Sequence, residues 1–205
     1  MKQNRAVDVT RLISGALAIV TFSILALVVM PYVLTPRVPT EVRPVAYSAE
    51  QAAGRKVYIA NGCVYCHSQQ PRDPSVAPDG ARGWGRPSVP NDYVHDEPHL
   101  LGTMRTGPDL FNIAARQPSR DWHLGHLYQP RAYTPGSTMP AFPFLFAERR
   151  GALEAGDVVV SLPPNVAPAG VRIVARAEAL RLVDYLLSLD HTYPVSRSAL
   201  RERAR

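Results

Sequence analysis

The segment that most restricts the fold of this chain is Asn61–Gln70, with the sequence NGCVYCHSQQ. It contains both cysteines of the chain, Cys63 and Cys66, and His67 follows the second one directly. Two thiols one turn apart beside an imidazole suit three kinds of site: structural zinc, a redox disulfide, or covalent attachment of heme through C-x-x-C-H. Each of these sites makes a different demand on the rest of the sequence.

The remainder of the chain favours heme attachment. Structural zinc takes four ligands, usually from two paired clusters, and the sequence has no second pair of cysteines. A redox C-x-x-C motif usually belongs to a β-α-β pattern, which this sequence does not show. We therefore expect one covalently attached heme c, bound by thioethers to Cys63 and Cys66, with His67 as the proximal ligand of the iron.

The sixth position of such an iron needs a donor or stays open. The chain has four methionines, Met1, Met30, Met104 and Met139. Met139 lies in PGSTMPAFPF, where three prolines stiffen the loop and a glycine lets it turn. We predict Met139 as the distal ligand, because histidine/methionine ligation raises the reduction potential as an electron carrier requires. Met104, in GTMRTGPDL, is the reserve candidate.

Two further residues are expected beside the heme. A ligating imidazole normally donates its other N–H to a carbonyl or carboxylate, and the stiff turn Thr106-Gly107-Pro108 offers the carbonyl of Pro108. Arg105, just before this turn, is predicted to pair with a heme propionate, because a guanidinium forks onto a carboxylate.

The segment DWHLGHLYQPR contains His123 and His126 at a spacing of three. No cysteine or carboxylate forms a tight cluster with them, so we interpret both as packing or hydrogen-bonding residues. Trp122 and Tyr128 beside them indicate a stacking layer over the cofactor or a partner surface. A metal-carrying module built on the two histidines is the alternative.

The uncharged segment Leu12–Leu34 predicts a transmembrane helix. Its 23 residues span about 34 Å as a helix, against about 30 Å for the hydrocarbon core of a bilayer. Signal peptides have a shorter apolar region of about 7–15 residues, so we expect a retained anchor, with Pro31 bending or ending its last turn. The basic residues around it weakly favour a cytoplasmic N-terminus.

The rest of the sequence predicts a mostly α fold: a single N-terminal transmembrane helix followed by a cytochrome c-type heme domain rich in loops. Twenty prolines and thirteen glycines indicate few long elements. We expect a cytoplasmic stub and anchor (1–34), a Pro-rich linker (35–47), the heme domain (48–193) and a basic tail (194–205). Heme attachment of this kind occurs outside the bacterial inner membrane, which predicts a periplasmic heme domain on a single-pass, lipid-embedded anchor.

Two helices are expected to frame the heme domain. Ser48 and Gln51 form the sequence pattern of a capping box, which predicts a helix from about Ala49 to Asn61 with Gly62 as its terminator. Arg176–Leu189 closes the domain, with Ala179, Val183, Leu186 and Leu187 on one helical stripe. Ser68–Ser119 is predicted to be mostly irregular.

A net charge of +6 raises the question of nucleic-acid binding. The basic residues are scattered among acids and prolines, and no repeat combines them with aromatic residues. We therefore expect no nucleic-acid partner.

Three segments follow the C-x-x-C-H motif in order: RTGPDL (Arg105–Leu110), DWHLGHLYQPR (Asp121–Arg131) and STMPAFPFL (Ser137–Leu145). Together with the single N-terminal anchor, they resemble the mono-heme subunit II of cbb₃-type cytochrome c oxidases. C-x-x-C-H alone indicates only a c-type cytochrome, whereas these three segments are far more specific. The resemblance runs from the anchor to about Leu145 and returns in the closing helix.

The resemblance implies thioethers at Cys63 and Cys66, with His67 and Met139 as the proximal and distal iron ligands. It implies an electron-transfer subunit that performs no oxygen chemistry of its own. Its expected partners are the catalytic heme-copper oxidase subunit, a further cytochrome c subunit in the membrane, and a soluble cytochrome c donor.

One segment, Ala147–Val174, departs from the usual sequence of this family. Within it, Asp157–Leu162 and Gly170–Val174 indicate a short hairpin. Two alternative functions stay open at this point: the cytochrome c subunit of a nitric oxide reductase, which shares the anchor and heme, and a free-standing heme c peroxidase or gas sensor with an open iron site.

Overall fold

A computed structural model describes residues 9–34, 44–71 and 81–192 of the chain. The chain divides into an N-terminal unit, which contains one long helix, and a second unit that comprises residues 41–195. The predicted stub before Val9, residues 35–43 of the predicted linker and the basic tail lie outside the described residues.

Helix α1 (Val9–Leu34) is long and apolar enough to cross a membrane, by length and composition. It ends at the predicted residue and begins three residues earlier than expected. Leu25–Val29 adopts π-helical geometry, in which the N–H of Met30 donates to the carbonyl of Leu25. Pro31 follows directly, and its ring crowds the preceding turn of a regular helix. The wider turn accommodates Pro31, and the helix continues to Leu34.

The second unit is a mixed helical domain with a small sheet. Its helices are α2 (Ala49–Ala60), α3 (Ile113–Arg116), α4 (Arg120–Tyr128), α5 (Pro130–Tyr133) and α6 (Ala177–Ser188). Short 3₁₀ turns lie at Cys63–Tyr65, Pro90–Tyr93 and Pro143–Leu145. The strands are β1 (Phe146–Arg149), β2 (Val158–Val159) and β3 (Arg172–Ala175). The described residues of the predicted irregular stretch, 68–71 and 81–119, are mostly irregular, as predicted.

The N-terminus of α2 confirms the predicted capping box. The Ser48 hydroxyl accepts the N–H of Gln51 at 3.2 Å, and the Gln51 side chain accepts the N–H of Ser48 at 2.8 Å. These two bonds satisfy donors that the first turn of a helix leaves unpaired. Gly62 follows the helix with φ 69°, a left-handed conformation that favours glycine. The chain therefore leaves α2 directly into the Cys63–Tyr65 turn.

Helices α2 and α6 pack closely in the core. A Cβ atom on Gly54 would lie 1.8 Å from the carbonyl oxygen of Arg181, so only glycine permits this approach of the two backbones. Tyr58 of α2 and Tyr185 of α6 pack edge to face, with ring centroids 5.5 Å apart. This helix pair supports the segment that follows α2.

The buried face of α6 is wider than the predicted stripe. Ala179, Val183 and Leu186 are buried as predicted, whereas Leu187 is only half-buried. Leu182 and Tyr185 are also buried, because the helix packs against α2 on one side and against α3 and α4 on others.

A small sheet accompanies the helices of the domain, which the sequence predicted to be mostly α. Strand β3 lies in the middle and pairs antiparallel with both β1 and β2. The β2–β3 pairing confirms the predicted hairpin, whereas β1 has no counterpart in the sequence-based prediction. Ile173 and Val174 of β3 are buried, and β-branched residues of this kind suit a strand that packs on a core.

Candidate functional site

The domain contains a cavity of about 690 Å³. Its volume lies within the range of about 300–1,000 Å³ that is typical of ligand and cofactor sites. Five of the six predicted heme-binding residues line it: Cys63, Cys66, His67, Pro108 and Met139. The sixth, Arg105, does not. The structure thus brings together residues that are up to 76 positions apart in the sequence.

The 3₁₀ turn Cys63–Tyr65 positions the two cysteines. The N–H groups of Cys66 and His67 both donate to the carbonyl of Cys63, at 3.2 and 2.9 Å. In a 3₁₀ turn, side chains three residues apart lie above one another, so the two thiols share one side of the turn. Both are free and half-buried, and burial raises the pKa of the Cys63 thiol to about 11.

The imidazole of His67 is oriented by the Thr106-Gly107-Pro108 turn. Its Nδ1 lies 2.7 Å from the carbonyl oxygen of Pro108, which confirms the predicted hydrogen bond. Because a carbonyl only accepts, Nδ1 carries the hydrogen and Nε2 keeps its lone pair. Burial lowers the pKa of His67, which favours the neutral form that ligates metals.

Gly107 is required for this arrangement. Its N–H donates to the carbonyl of Cys66 at 3.1 Å, which brings its backbone against the imidazole. A Cβ atom at this position would lie 2.1 Å from Cε1 of His67. Any side chain would therefore displace the ring.

Further hydrogen bonds hold the segment around His67. The hydroxyl of Tyr58 donates to the carbonyl of His67 at 2.6 Å, and the Ser68 N–H donates to the carbonyl of Met104 at 3.1 Å. Met104 therefore belongs to this wall through its backbone. Its side chain is exposed and does not line the cavity, so nothing in the fold supports the reserve candidate.

The loop Thr134–Pro140 forms another wall of the cavity, and all seven of its residues line it. Gly136 has φ 78°, and the N–H of Ser137 donates to the carbonyl of Thr134 at 3.1 Å. The N–H of Met139 donates to the hydroxyl of Ser137 at 3.2 Å. Met139 is half-buried and packs against the hydrophobic core, so its thioether belongs to the cavity wall.

The structure separates the roles of two arginines. Arg105 forms an ion pair with Asp109 and does not line the cavity, and its pairing with a heme propionate stays a prediction. Arg116, at the end of α3, does line the cavity. Its guanidinium donates to the carbonyl of Asp109 at 2.5 Å and lies 4.3 Å from the ring centroid of Trp84. Sequence reasoning missed Arg116, because no motif marks it.

Helix α4 contributes an aromatic layer to the cavity wall. Trp122 and His126 stack with ring centroids 4.5 Å apart, and Nε2 of His123 lies 2.8 Å from the carbonyl oxygen of Gln117. Burial is the largest cause that lowers the pKa of His126, to about 4, followed by the charges of His123 and His67. These contacts agree with the prediction of packing and hydrogen-bonding histidines.

The predicted stacking layer is only partly present. Trp122 lines the cavity. Tyr128 does not line it and instead packs edge to face on Phe146, with ring centroids 5.4 Å apart.

The side chains of the cavity fit a covalently bound heme. Two thiols share one side of a turn beside a neutral imidazole whose Nε2 is available to a metal, and a thioether lines the same cavity. Apolar side chains, among them Leu110, Phe142 and Leu186, complete much of its wall. Thiolates, imidazole and thioether are established heme ligands or attachment groups.

Comparison with known proteins identifies one family. The model of the family described as "Cytochrome C oxidase, mono-heme subunit/FixO" matches residues 5–161. The match includes α1, the heme motif, α4, the Met139 loop, β1 and β2, and it ends before β3 and α6. The likeness expected for the closing helix is therefore outside the matched region. A search of the curated proteins found no match.

Proposed function

Because the chain belongs to the family of mono-heme subunits of cytochrome c oxidase, of the cbb₃-type subunit II kind, we propose that it transfers electrons within a cbb₃-type oxidase. In this proposal it accepts electrons from a donor cytochrome and passes them to the catalytic heme-copper subunit. The observation that carries the proposal is the cavity that Cys63, Cys66, His67 and Met139 line together.

Each of these residues has a defined part. Cys63 and Cys66 would hold the heme through thioethers, and Nε2 of His67 and the thioether of Met139 would ligate the iron. The carbonyl of Pro108 accepts from Nδ1 of His67. The bound heme supplies a one-electron redox centre. Because His67 and Met139 would both supply a donor to the iron, the subunit would carry electrons and perform no oxygen chemistry.

The proposed location follows from α1 and from heme attachment. We place α1 across the bacterial inner membrane as a single-pass, lipid-embedded anchor and the heme domain in the periplasm. Its partners are then the catalytic subunit, a further membrane-bound cytochrome c subunit and a soluble cytochrome c donor.

The test begins with the complex purified from membranes in mild detergent. On a denaturing gel stained for heme, the band of this chain should be coloured, and the Cys63→Ala/Cys66→Ala chain should be colourless. The wild-type spectrum should show a far-red sulfur-to-iron band that Met139→Ala abolishes. A colourless wild-type band would refute the proposed cofactor.

Two assays separate the alternatives. The purified complex should consume oxygen, whereas preferential consumption of nitric oxide would identify a nitric oxide reductase. Reduced wild-type protein should bind carbon monoxide slowly or not at all, because His67 and Met139 would both ligate the iron. Rapid binding would favour a sensor or peroxidase with an open iron site.

A further inference from the structure

The exposed residues at the opening of the cavity are uncharged. Among the described residues that line the cavity, Arg116 is the one with a permanent charge, and its side chain is half-buried. The lining residues that are exposed to solvent are all neutral, and we call them the neutral rim: Thr106, Pro108, residues 134–136, Thr138 and Pro140. The neutral rim is therefore the surface at which another protein comes nearest to the cavity.

An uncharged segment with an exposed aromatic residue continues from this rim. Residues 132–147 include no Asp, Glu, Lys or Arg, although these four types make up 20% of the chain. Phe144 is 60% exposed, and its ring packs edge to face on Phe142 of the cavity wall, with ring centroids 5.8 Å apart. Charged residues are depleted and aromatic residues enriched in the cores of protein–protein interfaces. This surface therefore has the composition of an interface core.

The absence of charge on the rim distinguishes two kinds of partner. A soluble protein that arrives by diffusion associates orders of magnitude faster when its charges complement those of its target. A subunit that is held in the same complex is already present at a high effective concentration, and permanent interfaces are more apolar than transient ones. The neutral rim offers no charge that would steer a soluble cytochrome, so it suits a permanently bound partner.

The family to which the chain belongs indicates which partner this is. A mono-heme subunit of a cytochrome c oxidase works beside the catalytic subunit of that oxidase. We propose that the neutral rim and Phe144 bind an uncharged, apolar face of the catalytic heme-copper subunit, and that the electron crosses there without charge steering. One electron leaves the heme and reduces the acceptor centre of the catalytic subunit, and no bond forms or breaks. This inference rests on the proposed function, since it needs a heme in the cavity.

Photo-crosslinking in the purified complex tests the contact. The photoreactive amino acid p-benzoylphenylalanine replaces Phe144 in one variant and Val94 in the matched control. Val94 is 55% exposed and apolar like Phe144, but it does not line the cavity. Illumination should join the chain to the catalytic subunit from position 144 and not from position 94, with the joined band identified by mass spectrometry.

The rate of electron transfer inside the complex tests the function of the contact. The heme is reduced by a flash-activated reductant, and the arrival of the electron in the catalytic subunit is followed for wild type, Phe144→Glu, Phe144→Leu and Val94→Glu. We expect Phe144→Glu to be about tenfold slower, the size of a hot-spot loss, because its carboxylate would be buried without a partner. Phe144→Leu stays apolar and should be slowed less, and Val94→Glu should keep the wild-type rate.

The dependence on salt completes the test. The wild-type rate should change less than about twofold between low and high ionic strength, because salt screens only contacts between charges. A fall of about tenfold or more at high salt would instead indicate charge steering and overturn the inference.

Two further results would overturn it: a crosslink from position 144 that misses the catalytic subunit, and equal rates for Phe144→Glu and Val94→Glu. Heme staining and the far-red band are recorded for every variant. Should Phe144→Glu not retain heme, the crosslink and the salt dependence of the wild type decide. A wild-type chain without covalent heme would instead refute the proposed function.

Discussion

On one wall of the cavity His67 makes three hydrogen bonds to other residues of the domain. On another wall, Met139 makes its hydrogen bond within its own loop. The N–H of His67 donates to Cys63, its Nδ1 to Pro108, and its carbonyl accepts from Tyr58. Among the described residues, the hydrogen bond that Met139 makes is the one to Ser137, two positions away. Three prolines around Met139, rather than long-range hydrogen bonds, restrict its loop.

This difference predicts that mutations on the two walls have different effects. The His67 wall, which comprises residues 63–67 and 106–108, is part of the structure that holds the domain together. Mutations there should lower the free energy of unfolding and also weaken heme binding. The Met139 side chain packs against the core, but its hydrogen bond stays within its own loop. Changes there should alter ligation and leave the domain folded.

The largest effect is expected from Cys63→Ala/Cys66→Ala. In the proposed function two thioethers would join the turn that contains Cys63 and Cys66 to the heme, and without the heme the apolar wall of a cavity of about 690 Å³ would have nothing to pack against. We expect no covalent heme and loss of the cooperative thermal transition, followed by circular dichroism. A cooperative melt close to that of wild type would show that the domain is stable without heme.

The second effect concerns Gly107→Ala. The added Cβ would lie 2.1 Å from the His67 ring, so the ring must move and lose its bond to Pro108. We expect a loss of about 1–3 kcal/mol in the free energy of unfolding, as for other overpacked sites, together with poor heme retention. Chemical denaturation measures the free energy of unfolding, and the heme content of the purified protein measures heme retention.

Gly136→Ala is the matched control on the Met139 loop. A Cβ there meets nothing within 4 Å, and the cost comes only from its φ of 78°, about 1 kcal/mol. Heme retention should stay at the wild-type level. Equal losses of heme in the two variants would remove the distinction between the walls.

A smaller effect is expected from Tyr58→Phe, which deletes the hydrogen bond to the His67 carbonyl but keeps the ring that packs on Tyr185. One such bond contributes about 1 kcal/mol, and urea titration should show a loss of this size. Tyr65→Phe is the control, because its side chain is 76% exposed. A neutral Tyr58→Phe variant would mean that the hydroxyl does not stabilise this wall.

The sequence predicts the His67 wall better than its surroundings, and the reason is local chemistry. The capping box before α2, the terminator at Gly62 and the acceptor at Pro108 depend on residues close to each element or on a stiff turn that offers a known partner. The first two rules are short-range, and the third rests on the general preference of a ligating imidazole for a carbonyl partner; the structure shows all three contacts or conformations. Whether these residues hold a heme stays a proposal.

The positions of Arg105 and Arg116 and the formation of the sheet are harder to predict because they depend on tertiary packing. Arg105 and Arg116 have the same charge and lie in similar loop-rich sequence, and only the fold decides that Asp109 pairs with the first while the second lines the cavity. Strand β1 has the sequence FAER, whose alternation is too short to indicate a strand. It forms because β3 offers it an edge.

A small effect on stability, and a large one on ligation, is expected from Met139→Leu. Leucine has nearly the same volume as methionine, and such exchanges usually cost less than about 1.5 kcal/mol. Leucine offers the iron no donor, so the far-red band should disappear and the reduced protein should bind carbon monoxide rapidly. Met104→Leu is the control, because the exposed Met104 side chain does not line the cavity.

If the far-red band persists in Met139→Leu and disappears in Met104→Leu, the distal ligand is misassigned. If Met139→Leu destabilises the domain as much as Gly107→Ala, the loop is a structural wall like the one around His67, and the separation of ligation from stability does not hold.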